Sequence, residues 1–343
     1  GYSAIDNSTV KINFYNSNGA LGYELCFPII PEHYYKNGLS LNSTQNMKPI
    51  GNGPFEFQNY VTVKEMNLTT NSSYFKNQPS IKDINVIISS DDETDFYSFD
   101  QGITGALEES LTDWGKFGGS RKVSYNSVLT NYFDFIGFNF RNYILQDVRV
   151  REAIAISLNK EKLVNDAYLG QGLVTESFIN PKSWLYNKEL GAYNYNLKQA
   201  RQLFLQSNYK FNDQTKKLQK VVSGVATDLK FKVIVNEENS ERVKIAHVLK
   251  TNLESIGITI DLVVVDFDTY SRMLQSHDFD LFLGGVNFSN YPDFDFLLGS
   301  SNGNNYFYYS NNYVDELLSN LKHSANSEEY LVNLNQLQQV VLD

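Results

Sequence analysis

Residues 229–296 read LKFKVIVNEENSERVKIAHVLKTNLESIGITIDLVVVDFDTYSRMLQSHDFDLFLGGVNFSNYPDFDF, and the apolar pattern changes period four times along them. Leu229, Phe231, Val233 and Val235 alternate with polar residues, as in a strand with one face buried. Ser240 can cap a helix whose apolar positions Val243, Ala246, Leu249, Leu253 and Ile256 follow helical spacing. Gly257 stands where a helix end favours a residue tolerant of positive φ. A second strand (Ile258, Ile260, Leu262, Val264), a short helix from about Asp268 to Ser276 and a third apolar run, Phe279 to Val286, complete β-α-β-α-β. Such units form parallel sheets with right-handed crossovers, and their ligands bind beyond the carboxyl ends of the strands. The loop just beyond the last strand, Asn287-Phe288-Ser289-Asn290-Tyr291-Pro292-Asp293, is therefore the candidate site.

Working outward, 343 residues suffice for two or so domains. A net charge of −10 without a basic run argues against nucleic acid as a partner, because phosphate binding needs clustered Lys and Arg. Cys26 is alone, so no disulfide closes within the chain, and its apolar neighbours Leu25 and Phe27 suit a buried structural thiol. His33, His247, His277 and His323 are scattered without metal-ligand spacing, so no metal and no cofactor are expected. The 23 Tyr and 23 Phe suit surfaces that pack on ligands, although a codon bias that also enriches Asn produces the same surplus. No stretch approaches the length of a transmembrane helix, and no signal peptide is present. The start at Gly1 and the apolar helix face Leu331, Leu334, Leu337, Val340 and Val341 running up to Asp343 read as an excised piece of a longer polypeptide.

Upstream, residues 1–80 read as short strands and turns: Val10–Phe14, an apolar turn at Phe27–Pro31, and Phe55-Glu56-Phe57 leading to Tyr60–Val63. Pro49-Ile50-Gly51-Asn52-Gly53-Pro54 between them is a rigid turn. Ile84, Val86 and Ile88 alternate as a strand, the acidic turn Asp91–Asp95 follows, and a helix is expected through Ile103, Leu107 and Leu111. The aromatic run Phe133–Phe140 has the pattern of a strand buried on both faces. Asp147 begins a helix expected to end near Gly170, and Asn196 precedes another carrying Ala200, Leu203 and Phe204.

Several of these segments together resemble a family. Pro49-Ile50-Gly51-Asn52-Gly53-Pro54-Phe55 is similar to the Gly-Thr-Gly-Pro-Tyr turn of extracellular solute-binding proteins of the oligopeptide/dipeptide/nickel class, which feed ABC importers. Phe138-Asn139 followed by Asp147-Val148-Arg149-Val150-Arg151-Glu152-Ala153-Ile154 resembles that family's strand and Asp-Val-Arg-Val-Arg-x-Ala helix. Ser157-Leu158-Asn159-Lys160-Glu161, Gly170-Gln171-Gly172, Pro181-Lys182-Ser183-Trp184 and Asn194-Tyr195-Asn196-Leu197-Lys198-Gln199-Ala200 continue in the family's order. Phe279-Asp280-Leu281 with Tyr291-Pro292-Asp293 resembles its Tyr-Asp … Asp-Tyr-Pro-Asp-Pro pattern.

The resemblance implies an α/β, periplasmic-binding-protein-like fold with a mixed, mostly parallel sheet flanked by helices. It places a partial, β-rich remnant of lobe I at residues 1–80 and the large second lobe at 81–343. The implied function is capture of a peptide or similar solute between two lobes and its delivery to a membrane ABC permease, by a monomer outside the cell membrane, lipid-anchored or periplasmic. An extended ligand would pair with the backbone of Val286, Asn287 and Phe288, with Asn290, Tyr291 and Asp293 completing the ligand-binding set. The family commonly has tryptophan at the position of Asn287, and at that of Asn290 an aspartate that holds the peptide ammonium. Asn290 offers an acceptor without charge, so a free amine is expected to be recognised weakly or through Asp293 or Asp295. With most of one lobe missing, the 343 residues are expected to bind ligand weakly or not at all.

From the residues alone, Tyr291-Pro292-Asp293 is equally a turn that ends a strand, and Asp293 with Asp295 equally a pair of solvated turn acids. Arg149 and Arg151 fit structural ion pairs better than an anionic ligand, and alternating faces would send half of Tyr306–Tyr309 into the core. No nucleophile–base order, metal motif or nucleotide motif supports an enzyme, so no catalytic residue is expected. The alternatives are a surface receptor or adhesin that reuses the fold, and a binder of an oligosaccharide or a chelated metal.

Overall fold

The computed structural model describes residues 1–15, 25, 28–35, 44–108, 122–288 and 293–343, and Cys26 lies outside them. The chain divides into two units, Gly1–Leu25 with Gly119–Asp343, and Cys26–Gly118. At its start β1 (Tyr2–Asp6) and β2 (Thr9–Ile12) pair as an antiparallel hairpin.

The smaller unit carries an antiparallel sheet, β3 (Phe55–Val61), β4 (Glu65–Thr70) and β5 (Asp83–Ile87), in that order. Its register sets Phe57 beside Leu68 and Leu68 beside Ile84 on one face. The other face carries Asn59, Asn67 and Asn85, whose amides form a one-way chain. Asn85 Nδ2 donates to Asn67 Oδ1 at 2.9 Å, and Asn67 Nδ2 donates to Asn59 Oδ1 at 3.0 Å. The Gly-Pro turn is pinned to the end of β4 by the buried Asn71. Its Nδ2 donates to Gly53 O and its N–H to Pro54 O, each at 2.9 Å. The acidic turn is itself the start of a helix, because Asp91 Oδ1 accepts from Thr94 N at 2.8 Å and caps α1 (Asp92–Asp100). Gly102 at φ +71° lies just past its end. The helix thus lies before Ile103 and Leu107 rather than through them, and Leu111 is outside the described residues.

In the larger unit β6 (Tyr132–Phe138) is the aromatic run. It stands at the edge of its sheet among the described strands and is mostly half-buried, with Ile136 and Phe138 against the apolar cluster of one face and Phe135 against that of the other. The helix expected from Asp147 to Gly170 is two, α2 (Val148–Ile156) and α3 (Lys160–Tyr168). Ser157 Oγ turns back to donate to Ile154 O at 2.6 Å, and Asn159 Oδ1 accepts from Lys162 N at 2.9 Å, so one helix is closed and the next capped within three residues. Asn196 caps α4 (Leu197–Gln206) as expected. A small antiparallel sheet of β7 (Lys210–Asn212), β8 (Lys217–Val222) and β9 (Val225–Asp228) follows.

The quoted stretch then folds as read: β10 (Lys230–Asn236), α5 (Ser240–Ser255), β11 (Thr259–Val265), α6 (Phe267–Ser276) and β12 (Leu281–Asn287). The cap of α5 is Asn239, one residue before Ser240, with its Oδ1 accepting from Arg242 N at 2.8 Å. Gly257 takes φ +98° after the helix end. The sheet order is β11-β10-β12-β6, parallel except for β6. Phe231, Val233, Val235, Leu281 and Leu283 bury one face of it under α2, α4 and α5. Ile234 and Phe282 bury the other under Tyr270 and Leu274 of α6. After the short α7 (Asp295–Leu298), α8 (Asn312–His323) and α9 (Ser327–Leu342) pack Val314, Leu317, Leu334 and Leu337 into a further apolar cluster with Phe178, Phe288 and Phe294. Among the described residues no helix is long and apolar enough to cross a membrane.

Candidate functional site

The period-2 alternation of β12 decides what its carboxyl end displays. Val286 and Phe288 turn toward the cluster at α8 and α9, where the Phe288 ring lies 5.5 Å from Phe294 and 6.3 Å from Phe178. Gly285 and Asn287 are exposed on the opposite face. Of the six expected ligand residues, then, Phe288 has its side chain in the core and its N–H bonded to Asn131 O. Asn290 and Tyr291, with Ser289 and Pro292, lie outside the described residues. Asp293 is exposed, and its Oδ1 accepts from Asp295 N at 3.0 Å. Asp295 in turn pairs with Lys322 at 2.8 Å, and no metal-holding group of three acids, histidines or cysteines exists among the described residues.

The strand's two edges differ. On one, β6 pairs from Phe138↔Leu281 to Tyr132↔Asn287, and Phe288 N donates to Asn131 O at 3.2 Å. On the other, β10 pairs only at Val233↔Leu281 and Ile234↔Phe282, then diverges. Tyr270 Oη donates to Leu283 O at 2.7 Å beyond that point, and among the described residues no strand pairs with this edge of Gly284–Asn287. A topological switch point of this kind leaves an opening at the carboxyl ends of the strands.

Beside it sits a charged cluster. Arg242, carried on the first turn of α5 by the Asn239 cap, donates from Nε to Asp134 Oδ1 at 2.7 Å and from Nη2 to Tyr132 Oη. Tyr168 Oη donates to the other oxygen of Asp134. The guanidinium lies flat on the strand, so a Cβ at Gly285 would fall 2.0 Å from Arg242 Nη2 and 2.5 Å from Asp134 Oδ1. Glycine is required there by close approach. Burial works against the charge of Arg242, but the Asp134 carboxylate and its hydrogen bond outweigh it and hold the guanidinium above its usual value. Burial, reinforced by Asp134, pushes the Tyr168 hydroxyl far up, so it stays a donor. Asn236, buried at the carboxyl end of β10, donates from Nδ2 to Glu238 Oε2 at 3.2 Å, and its Oδ1 has no partner.

The remaining sequence candidates are structural. Arg149 forms a bidentate pair with Asp147, and Arg151 Nη1 donates to the carbonyls of Leu145 and Gln146, each at 3.0 Å. The Tyr306–Tyr309 segment is not a strand: Tyr306 and Phe307 pack on the sheet, Tyr308 has φ +56° beneath the Arg141 guanidinium, and Tyr309 meets Phe140. Sequence reasoning missed Asp134 and Arg242. The acid standing alone in the aromatic run 132–138 was visible in the sequence, but its partner 108 residues on was not.

Residues 1–308 match the family model of bacterial extracellular solute-binding proteins, family 5 Middle. The oligopeptide-binding protein AppA of Bacillus subtilis is 26% identical over 342 residues, which is 96% of this chain and 61% of that protein. The chain thus spans less than two thirds of this relative. The structure of AppA with a nonapeptide superposes at a TM-score of 0.68 with 24% identity, over 99% of this chain and 69% of that one. The ABC transporter substrate-binding protein CtaP of Listeria monocytogenes gives a TM-score of 0.87 with 22% identity, covering 99% and 68%. NikZ of Campylobacter jejuni, solved with Ni(L-His), gives 0.76 with 20% identity, covering 99% and 69%. The fold is therefore periplasmic-binding-protein-like, mixed α/β with a helix-flanked sheet.

Proposed function

From its membership of the bacterial extracellular solute-binding proteins of family 5, we propose that this chain is the solute-capturing part of an ABC importer component and that its ligand is a peptide or a similar solute. The observation that carries the reading is the edge of β12 from Gly284 to Asn287, left without a strand partner where β10 diverges. An extended chain laid there gains main-chain hydrogen bonds regardless of its sequence, which is β-augmentation. Val286, Asn287 and Phe288 would supply backbone, with the Phe288 N–H already given to Asn131 O; Asn287 would add an exposed side chain, and Asn290, Tyr291 and Asp293 the rim beyond. The relative AppA, solved with a nonapeptide, supports a peptide over other solutes. NikZ, solved with Ni(L-His), keeps a chelated metal as the second reading.

Residues 1–80 and 81–343 would belong to two lobes that close on the ligand, and a membrane permease would read the closed state. Attachment outside the cell by a lipid belongs to the same proposal. The role is binding rather than catalysis. Mass spectrometry of small molecules that copurify with the protein, followed by calorimetry with a nonapeptide and its N-acetylated form, tests it. Saturable binding of both forms with little preference for the free amine is expected of a polypeptide that carries both lobes in full, and weak or no binding of these 343 residues alone. Absence of any copurifying solute and of saturable peptide binding by the two-lobed polypeptide would overturn the reading. A strong preference for the free amine, abolished by Asn290→Ala, would overturn the assignment of a weak amine site.

A further inference from the structure

We propose that Arg242 and Tyr132 form a subsite for a neutral carbonyl oxygen of the ligand, an inference that rests on the solute-capture reading. A guanidinium has five N–H donors. Arg242 spends two of them, Nε on Asp134 and one Nη2 hydrogen on Tyr132, which leaves three with no partner among the described residues. Tyr132 accepts from Arg242 and has no acceptor for its own O–H among the described residues, so it too retains a donor there. Tyr132 is 49% exposed, whereas the Arg242 side chain is 9% exposed. A buried cation with unspent donors and a reachable hydroxyl thus converge at the carboxyl end of β12, where Tyr132 is the register partner of Asn287.

The chemistry of the ligand group follows from charge. Asp134 already neutralises Arg242 through a 2.7 Å pair. A carboxylate arriving there would lose hydration, gain no net positive charge and meet the Asp134 charge. An amide carbonyl needs donors and no charge, and it gains the same hydrogen bonds without that repulsion. Gly285 completes the arrangement. With no side chain there, the guanidinium rests against the strand at Gly285 while it bonds to Asp134 and Tyr132 of β6. Asp134, gripped by Tyr168 on its other oxygen, acts as the positioning residue that fixes the plane of the guanidinium. The subsite therefore reads backbone or amide oxygen and ignores the net charge of the ligand.

The test separates this inference from the function it rests on. The Nε–H resonance of Arg242, assigned by its loss in Arg242→Lys, is followed by NMR during titration with N-acetylglycine methylamide and, separately, with N-acetylglycine. A saturable shift with the neutral diamide and a smaller one with the carboxylate is expected. No shift with either probe, or a larger one with the carboxylate, overturns the subsite. In parallel, nonapeptides of differing net charge are titrated into wild type and Tyr132→Phe, whose ring is kept. The subsite predicts about a 2- to 12-fold loss of affinity, the worth of one hydrogen bond, equal across the peptides. Peptides that bind the variant as tightly as wild type overturn the subsite and leave the capture reading standing. Wild type that binds no peptide even with both lobes in full, yet shows the diamide shift, overturns the capture reading and leaves the subsite standing.

Discussion

Replacing Gly285 by alanine should unseat Arg242, and the size of the effect can be worked out. The new Cβ would lie 2.0 Å from Arg242 Nη2, 2.9 Å from its Cζ and 2.5 Å from Asp134 Oδ1, so the guanidinium has to leave the strand. Losing its charge-assisted bond to Asp134 costs about 1.5–3 kcal/mol. Alanine returns about 0.5–1 kcal/mol, because glycine in a strand interior gives up more backbone freedom on folding. The net destabilisation is then about 0.5–2.5 kcal/mol. In an Arg242→Ala background the guanidinium is gone and only Asp134 Oδ1, still held by Tyr168 through its other oxygen, has to shift, so the same substitution should cost much less. The coupling between the two sites is thus about 1.5–3 kcal/mol, far outside the ~0.5 kcal/mol expected of independent positions. Urea unfolding of wild type, both single variants and the double variant, read as midpoint at constant slope, measures it. Equal costs of Gly285→Ala in both backgrounds would refute the argument that Arg242 is what glycine makes room for.

Three further outcomes follow from the same kind of reasoning. Burial, aided by the Arg141 charge, lowers the pKa of His277, so the unfolded chain takes up a proton near pH 6.5 that the folded one resists. Stability should be full above that pH and fall below it. His277→Asn, which tolerates the φ of +56°, should flatten the melting temperature between pH 7.5 and 5.5. Asn71→Ala removes the amide that holds Gly53 O and should cost about 1–3 kcal/mol, with hydrogen exchange of the amides near Gly51–Gly53 rising most. An unchanged exchange rate there would count against the pinning. Gln338, 1% exposed, accepts from Ser177 Oγ and Asn187 N and donates to Leu185 O. Gln338→Leu strands those partners, and thermal unfolding should show a loss of about 1–3 kcal/mol or more.

The β-α-β-α-β stretch was legible because each of its signals is local. Phe231, Val233 and Val235 alternate over a few residues, and the spacing of Ala246, Leu249 and Leu253 is set by one helix face. Errors arose where two local choices compete. Asn239 and Ser240 both cap helices, and Asn239 wins; Asn159 could continue a helix or start one, and it starts one. The sheet β7–β9 escaped notice because its strands carry Lys217, Gln219 and Lys220 on half-open faces. The Asp134–Arg242 pair was illegible for a different reason. Its members are 108 residues apart, and only the sheet order brings them together.

The antiparallel strand β6 also carries a cost in time. Its partner begins 143 positions later, since Phe138 pairs with Leu281. On a ribosome working at about 5–20 residues per second, the aromatic segment 132–138 emerges roughly 7–30 s before anything can pair with it. For that interval Phe133, Phe135, Ile136 and Phe138 are unsheltered, and nascent chains of this protein should associate with a holding chaperone until the third crossover strand is made.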